Sequence, residues 1–255
     1  MRRNLLEAVC RIAREAGEIV MPWFYAADLE TRRKADRSQV TVADEAAEHA
    51  ILDRLAALTP DIPVVAEESV AAGCVPDVGD DPFWLVDPLD GTREFIRKIP
   101  EFTVNIALIE QRRPVLGAVY LPASDELYAG QEGGGAFLED GCGRRIIRTR
   151  RFPVSGITVA VSRTYGAGVD LNRFLARYDV AEQIDAGSSL KFCLVARGAA
   201  DVYPRYGGSN EWDTAAGHAV LAAAGGSVCE INDGPELLYG KTGFSNPWFI
   251  AWGRP

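Results

Sequence analysis

The chain has 255 residues, of which 47% are hydrophobic, so it can bury a large core in one domain or in two smaller halves. It carries 36 acidic and 27 basic residues, and its net charge of −9 argues against binding to nucleic acid, because contact with phosphate backbones requires a basic surface. Five cysteines without a C-x-x-C pair and two histidines offer no spacing for a zinc site.

The N-terminus and the hydropathy of the chain predict a soluble, cytoplasmic protein. Two arginines precede the first apolar stretch, as in a signal peptide, but Glu7, Arg11 and Glu15 interrupt that stretch. The sequence contains no run of about 18 apolar residues, which predicts that no segment spans a membrane. The odd number of dispersed cysteines favours reduced thiols and a cytoplasmic location.

The first half of the chain is predicted to begin with helices and to continue with strands. Apolar residues recur at helical spacing from residue 3 to about 25, and the polar stretch KADRSQVTVAD then indicates a hairpin or a loop. A second helix is predicted to start at Asp44 and to end before Pro60. The predicted strands that follow are IPVVAEES, PFWLVDP, FTVNIALIE, RPVLGAVYLP, ELYAGQ and GGAFLED, the last four in an antiparallel sheet.

A basic, turn-rich stretch at residues 140–156 separates the two halves. We predict an N-terminal α/β subdomain of residues 1–147 and a C-terminal α/β subdomain of residues 148–255. The second half alternates strand ITVAVS, helix VDLNRFLARYD, a strand near EQIDAG, helix SLKFCLVARG, strand ADVYPRY, helix DTAAGHAVLAAAGG, and strands GSVCEI and PWFIAWG. This alternation predicts an α/β fold of packed layers.

Acidic residues stand where predicted strands and loops meet turns or helices. They are Asp36, Asp44, Glu67, Glu68, Asp87, Asp90 and Asp213. Plain structural roles are the alternative: Asp44 and Asp213 suit helix N-caps, the glutamates suit a solvated pair, and DPLDGT suits a surface turn. Together these residues favour a site for hard divalent cations such as Mg²⁺, which bind carboxylate, carbonyl and water oxygens.

The stretch WLVDPLDGTREF contains the densest part of this acidic pattern. A rigid turn there would direct the carboxylates of Asp87 and Asp90 and the carbonyl oxygen of Leu89 toward one point. Gly91 and Thr92 would add backbone N–H groups for a phosphate, and the Thr92 hydroxyl would orient a water molecule. Two ions bridged by one carboxylate would stabilise both the attacking and the leaving oxygen of a phosphoryl transfer.

Three stretches, WLVDPLDGTREF, EWDTAAGHAVLAAAGG and VVAEES, resemble the inositol monophosphatase family of metal-dependent, lithium-sensitive phosphatases. The resemblance extends from AGEIVMPW to SNPWFIAW, and it implies a five-layer αβαβα sandwich with the active site between two subdomains. Within the family, DPLDGTREFI, GSSLKFCLVARG and ADVYPRYG are most similar to the bacterial 3'(2'),5'-bisphosphate nucleotidases. The resemblance therefore implies removal of the 3'-phosphate from adenosine 3',5'-bisphosphate, a by-product of sulfate assimilation, to give AMP.

The resemblance also implies two or three Mg²⁺ ions and inhibition by Li⁺. The implied ligands are Glu67, Asp87 and the Leu89 carbonyl for the first ion, Asp87, Asp90 and Asp213 for the second, and Glu67 with waters for a third. The residues implied to activate the attacking water are Asp44, Glu68 and Thr92. The predicted substrate contacts are Gly91, Thr92, Gly187, Ser188, Ser189, Lys191, Tyr203, Arg205 and Asp213.

Recognition of a second phosphate is predicted for the GSSLKF stretch. Open backbone N–H groups near a helix start, together with Lys191, would bind a 5'-phosphate, and Tyr203 and Arg205 would stack on or pair with the nucleotide. Solvated charge is the alternative role for Lys191 and Arg205.

Two other functions remain open at the level of sequence. One is a broader phosphatase for inositol monophosphates, sugar bisphosphates or NADP(H), and the other is a non-catalytic, metal-dependent sensor of a phosphorylated nucleotide. The predicted partner in each case is a small phosphorylated molecule, with no nucleic acid and no membrane span. The oligomeric state stays open, with a homodimer as one option.

Overall fold

A computed structural model describes residues 2–26, 31–33, 39–163, 168–231 and 234–254. The first predicted helix is confirmed as α1 (Arg2–Tyr25), which buries its apolar face. The polar stretch after it forms an antiparallel hairpin of β1 (Thr31–Arg33) and β2 (Gln39–Thr41), followed by α2 (Val42–Leu58). Asp36, the weakest of the predicted acidic positions, lies outside the described residues.

A large sheet contains the strands of the first half. In spatial order they are β3 (Val64–Ala66), β4 (Phe83–Asp90), β5 (Thr103–Glu110), β6 (Arg113–Leu121), β7 (Glu126–Gln131), β8 (Gly135–Asp140) and β9 (Gly143–Ile147). β3 and β4 are parallel and the other neighbours are antiparallel, which confirms the predicted sheet and adds β9. Two short helices, α3 (Glu67–Ala71) and α4 (Thr92–Ile96), follow β3 and β4.

Strands and helices alternate in the second half, as predicted. The helices are α5 (Val169–Leu175), α6 (Leu190–Ala196) and α7 (Ala215–Ala223). The strands of the small sheet, in spatial order, are β11 (Val180–Ala186), β10 (Ile157–Ser162), β12 (Val202–Arg205), β14 (Phe249–Trp252) and β13 (Ser227–Glu230). A short 3-10 turn (Thr242–Phe244) precedes β14.

The elements pack in five layers in the order α, β, α, β, α. Trp84 and Val86 of β4 point into the apolar cluster beneath α1 and α2, whereas Phe83 and Leu85 point to the other face of the sheet, toward α6 and α7. α6 and α7 contact strands of both sheets, and α5 packs on the outer face of the small sheet. The predicted αβαβα sandwich is therefore confirmed.

The predicted boundary falls between the two sheets. The large sheet ends at Ile147 and the small sheet begins at Ile157, but one apolar cluster contains residues of both sheets, such as Phe83 and Phe249. The division into subdomains stays a prediction. In the described part of the chain, no helix has the length and apolar character needed to cross a membrane.

Candidate active site

Two predicted metal ligands lie at the ends of neighbouring parallel strands. The register of β3 and β4 pairs Ala66 with Val86, so Glu67 and Asp87 are the next residues on the two strands. Strand alternation directs the buried Asp87 side chain toward the layer of α6 and α7. Asp213 directly precedes the N-terminal end of α7, so the same layer brings it to the carboxylates of the large sheet.

The DPLDGT stretch continues β4 instead of forming a surface turn. β4 extends to Asp90 with a register irregularity between Asp87 and Asp90, so the surface-turn alternative is wrong for both aspartates. The chain turns at Gly91, whose φ of 90° lies in the left-handed region that favours glycine. The Leu89 N–H donates to Asp87 Oδ1 at 3.0 Å, and the Thr92 hydroxyl donates to the Leu89 carbonyl at 3.2 Å.

Asp44 and Asp213 are not helix N-caps. α2 begins at Val42, so Asp44 lies in its first turn, where it is fully buried. Thr214 occupies the N-cap position of α7, and the Asp213 carboxylate accepts a hydrogen bond from the backbone N–H of Asn210 at 2.8 Å. The helix-cap alternative is therefore wrong for both residues, and the predicted start of α2 shifts by two positions.

Glu67 and Glu68 begin α3 and are partly exposed, so the predicted alternative of a solvated pair stays open for them. The N-cap residue of α3, Ala66, has no side-chain oxygen. The buried carboxylate of Glu48 accepts instead the N–H groups of Glu68 at 2.7 Å and Ser69 at 2.8 Å, and the Ser69 hydroxyl at 2.6 Å. Glu48 was not predicted, and its one sequence signal is its position one helical turn after Asp44.

Burial and mutual repulsion raise the pKa values of Asp87 and Asp213 well above the usual carboxyl value. For Asp87 the loss of hydration is the largest cause, followed by the charges of Glu67, Asp90, Asp213 and Asp44. For Asp213 the loss of hydration is again the largest cause, followed by the charges of Asp90 and Glu67. The negative charges of Glu67, Asp90, Asp213 and Asp44 thus all act on the buried Asp87 carboxylate.

The chemistry of these residues fits a hard divalent cation. The donors are oxygens, and a cation would offset the repulsion among the carboxylates. Beside them, Thr103 and Asn105 have buried side-chain polar atoms without a hydrogen-bond partner among the described residues, which suits a hydrated ion. Within the described ranges, no three His, Cys, Asp or Glu side chains already stand in a metal-holding group, so the predicted ligand set stays a prediction.

We expect Mg²⁺ to raise the melting temperature more at about pH 8 than at about pH 5.5. The folded-state pKa values of Asp87 and Asp213 lie above their unfolded-state values. The two groups therefore contribute full stability only below about pH 4, and this contribution is lost as the pH rises through the raised pKa values. Above those values the charged carboxylates impose a penalty on the folded state. Mg²⁺ binds deprotonated carboxylates and removes this penalty. Thermal melts with and without Mg²⁺ at both pH values measure the difference, and equal shifts would contradict the expectation.

A cavity of about 750 Å³ opens over the carboxylates. The predicted site residues that line it are Glu67, Asp90, Gly91, Thr92, Gly187, Ser188, Lys191, Tyr203, Arg205 and Asp213. Arg93 of α4 and Arg97, the residue directly after α4, also line the cavity, although the sequence pattern does not single them out. The cavity thus brings carboxylates and four basic side chains to one space.

The segment from Gly187 to Ser189 does not offer the predicted set of open N–H groups. The Gly187 N–H donates to the Glu101 carboxylate at 2.8 Å, and the Ser189 N–H donates to Asp90 Oδ2 at 2.6 Å. The hydroxyl of the buried Ser189 donates to the backbone carbonyl of Asp213 at 2.7 Å. Ser189 therefore links Asp90 at the end of β4 to Asp213 just before α7, and the N–H groups of Gly187 and Ser189 are already paired within the protein.

Lys191 is buried, so the solvated-charge alternative is wrong for this residue. Its Nζ donates to the carbonyl of Ala186 at 3.3 Å and to the carbonyl of Ser188, and it lies 5.2 Å from the centre of the Tyr203 ring. Burial lowers the pKa of Lys191 to about 8, although the nearby charge of Asp90 opposes this effect. The amine therefore remains largely protonated at neutral pH.

The packing of the Tyr203 ring argues against the predicted stacking of a base on it. The ring is buried and packs edge-on against Phe192 at 5.2 Å and Phe249 at 5.6 Å between ring centres. Arg205 is partly exposed at the cavity, where its Nη2 donates to the carbonyl of Gly208 at 2.5 Å. Tyr203 is thus part of the wall beneath Lys191, and Arg205 is the better placed of the two to contact a nucleotide.

Comparison with known proteins identifies the family of the whole chain. The inositol monophosphatase family profile matches residues 1–248. The chain is 44% identical to the 3'(2'),5'-bisphosphate nucleotidase CysQ of Escherichia coli K12 and 46% identical to that of Salmonella typhimurium LT2, each over 96% of this chain and 98% of the relative. The crystal structure of CysQ from Bacteroides thetaiotaomicron, a bacterial member of the inositol monophosphatase family, has a TM-score of 0.81 and 34% identity over 99% of this chain and 98% of that chain. The chain therefore belongs to the inositol monophosphatase family.

Proposed function

We propose that the chain is a 3'(2'),5'-bisphosphate nucleotidase that removes the 3'-phosphate of adenosine 3',5'-bisphosphate and releases AMP and phosphate. The main support is the cavity, in which carboxylates suited to divalent cations share one space with four basic side chains, those of Lys191, Arg205, Arg93 and Arg97. A monophosphate needs one anion site, whereas these basic residues provide for a second phosphate. The names of the full-length relatives agree with this substrate.

We propose that the site holds two or three Mg²⁺ ions. The ions would be held by Glu67, Asp87, Asp90, Asp213 and the carbonyl oxygen of Leu89, and Asp87 would serve more than one ion. When bound, the ions lower the pKa of a water molecule and offset negative charge on the phosphoryl oxygens. Occupation of the second position by Li⁺ would inhibit the enzyme.

The residues of the chain orient and deprotonate the attacking water. The Thr92 hydroxyl holds the water, and one carboxylate, that of Asp44 or that of Glu68, accepts its single proton. The backbone N–H groups of Gly91 and Thr92 bind the phosphate that is removed. Water attacks the phosphorus directly, the bond between phosphorus and the 3' oxygen breaks, and that oxygen takes up a proton to become the 3'-hydroxyl of AMP, so no covalent bond to the protein forms.

Lys191 is proposed to contact the 5'-phosphate with one N–H donor. An ammonium has three donors, and two of them face the carbonyls of Ala186 and Ser188. Lys191 and Arg205 both line the cavity, so the remaining donor of Lys191 and the guanidinium of Arg205 are proposed to meet the phosphate there. We also propose that the protein acts in the cytoplasm on the by-product of sulfate assimilation.

We expect adenosine 3',5'-bisphosphate to have the highest kcat/KM in a comparison of phosphate release. The assay compares it with AMP, inositol 1-phosphate, fructose 1,6-bisphosphate and NADP⁺ in the presence of Mg²⁺, with Li⁺ added in a parallel series. AMP lacks a 3'-phosphate and is expected to stay intact. A flat profile or a preference for inositol 1-phosphate would contradict the proposed substrate, and binding without turnover of any compound would favour a sensor.

A further inference from the structure

Two polar residues of β5 lie directly opposite the aspartates of β4. The antiparallel register pairs Asn105 with Asp87 and Thr103 with Asp90. Side chains of directly paired residues point to the same face of a sheet, with their Cβ atoms ~4.5–5.5 Å apart. Asn105 and Thr103 therefore share the face of the sheet on which these carboxylates lie.

Both residues are buried without a hydrogen bond from their side chains. Asn105 is 1% exposed and Thr103 is 0% exposed. Neither the amide of Asn105 nor the hydroxyl of Thr103 has a partner among the described residues. Ala107 and Ile109, further along the same face of β5, are apolar. The face therefore becomes polar only where it meets Asp87 and Asp90, although apolar residues would avoid the cost of an unpaired buried polar group.

We propose that Asn105 and Thr103 are positioning residues that hydrogen-bond the carboxylates of Asp87 and Asp90 when these bind divalent cations. This inference rests on the proposed function. Asp87 Oδ1 already accepts the N–H of Leu89 at 3.0 Å, and the amide of Asn105 supplies a further donor on the strand alongside. Asp90 Oδ2 accepts the N–H of Ser189, and the Thr103 hydroxyl supplies a further donor there.

The physical effect of such donors is to hold each carboxylate in one orientation. Outer hydrogen bonds of this kind fix the geometry of metal ligands, and their loss typically reduces metal affinity or activity ~10–100-fold. If the side chains of Asn105 and Thr103 have no role in metal binding, apolar side chains of the same shape would leave the Mg²⁺ affinity unchanged. The two roles thus predict different results for isosteric apolar variants.

The test uses Asn105→Leu and Thr103→Val in the full chain. Thermal melts in EDTA give the metal-free stability, and Mg²⁺ titrations give both the melting-temperature shift and the Mg²⁺ concentration for half-maximal phosphate release. We expect an unchanged or higher metal-free melting temperature, because an unpaired polar group is removed. We also expect a ~10–100-fold higher half-maximal Mg²⁺ concentration.

Two further variants separate positioning from general damage. Asn105→Ser retains a hydrogen-bonding group and is expected to recover part of the Mg²⁺ affinity. Thr149→Val removes a buried hydroxyl that lies 3.4 Å from the carbonyl of Ala224, near the C-terminal end of α7, and is expected to leave the Mg²⁺ dependence unchanged. A wild-type Mg²⁺ dependence in both isosteric variants would overturn the inference. An inactive wild type would overturn the proposed function instead, and the Mg²⁺-induced melting shifts would still decide the inference.

Discussion

Asp90→Asn is expected to reduce phosphate release by more than ~100-fold, beyond the typical effect of losing an outer hydrogen bond of a metal ligand. The substitution removes one carboxylate charge from the cavity and replaces a proposed ligand with a neutral amide. The amide oxygen can still accept the backbone N–H of Ser189, which Asp90 Oδ2 accepts at 2.6 Å. The fold is therefore expected to persist, and the loss of activity is expected to come from the missing metal ligand.

The measurement is phosphate release from adenosine 3',5'-bisphosphate across a Mg²⁺ titration, with circular dichroism to verify the fold. Asp53→Asn is the matched control, because Asp53 is an exposed carboxylate on α2 that does not line the cavity. The control is expected to match the wild type. Activity of Asp90→Asn close to that of Asp53→Asn would show that Asp90 is not a metal ligand.

The local pattern of the sequence was sufficient for most elements of the fold. α1 and the strands from β5 to β8 have a regular apolar spacing, and each pattern persists for several residues. β9 was missed because Arg144 and Arg145 interrupt its apolar residues. Arg144 pairs with Glu7 of α1 and Arg145 pairs with Asp140 of β8, while backbone pairing with β8 forms a strand that its own residues do not indicate.

The acidic residues of the proposed site stand out in the sequence, but the hydrogen bonds that hold them do not. The acids stand at the ends of strands and the starts of helices, positions that a linear pattern shows. Their partners are distant in the chain: Glu48 holds the segment at Glu68, and Ser189 reaches back to Asp90. The role of Asn105 depends on the register of β4 and β5, which no single stretch of sequence defines.

Gly117→Ala is expected to lower the free energy of unfolding by ~1–3 kcal/mol, and Gly117→Val is expected to lower it further. Gly117 lies in β6 where α7 crosses the large sheet. A Cβ at this position would lie 2.7 Å from the carbonyl oxygen of Ala216 and 2.8 Å from the Cβ of Ala219. Both are rigid parts of the helix, so α7 would have to move away from the sheet.

Displacement of α7 would also disturb the proposed metal site, because Asp213 directly precedes this helix and lines the cavity. Urea unfolding measures the stability, and the Mg²⁺ concentration for half-maximal activity measures the disturbance. Gly141→Ala is the matched control, since a Cβ there would meet no atom within 4 Å. If Gly117→Val unfolded at the same urea concentration as Gly141→Ala, the close approach of α7 to β6 would not contribute to stability. An unchanged half-maximal Mg²⁺ concentration would show that this approach does not set the position of Asp213.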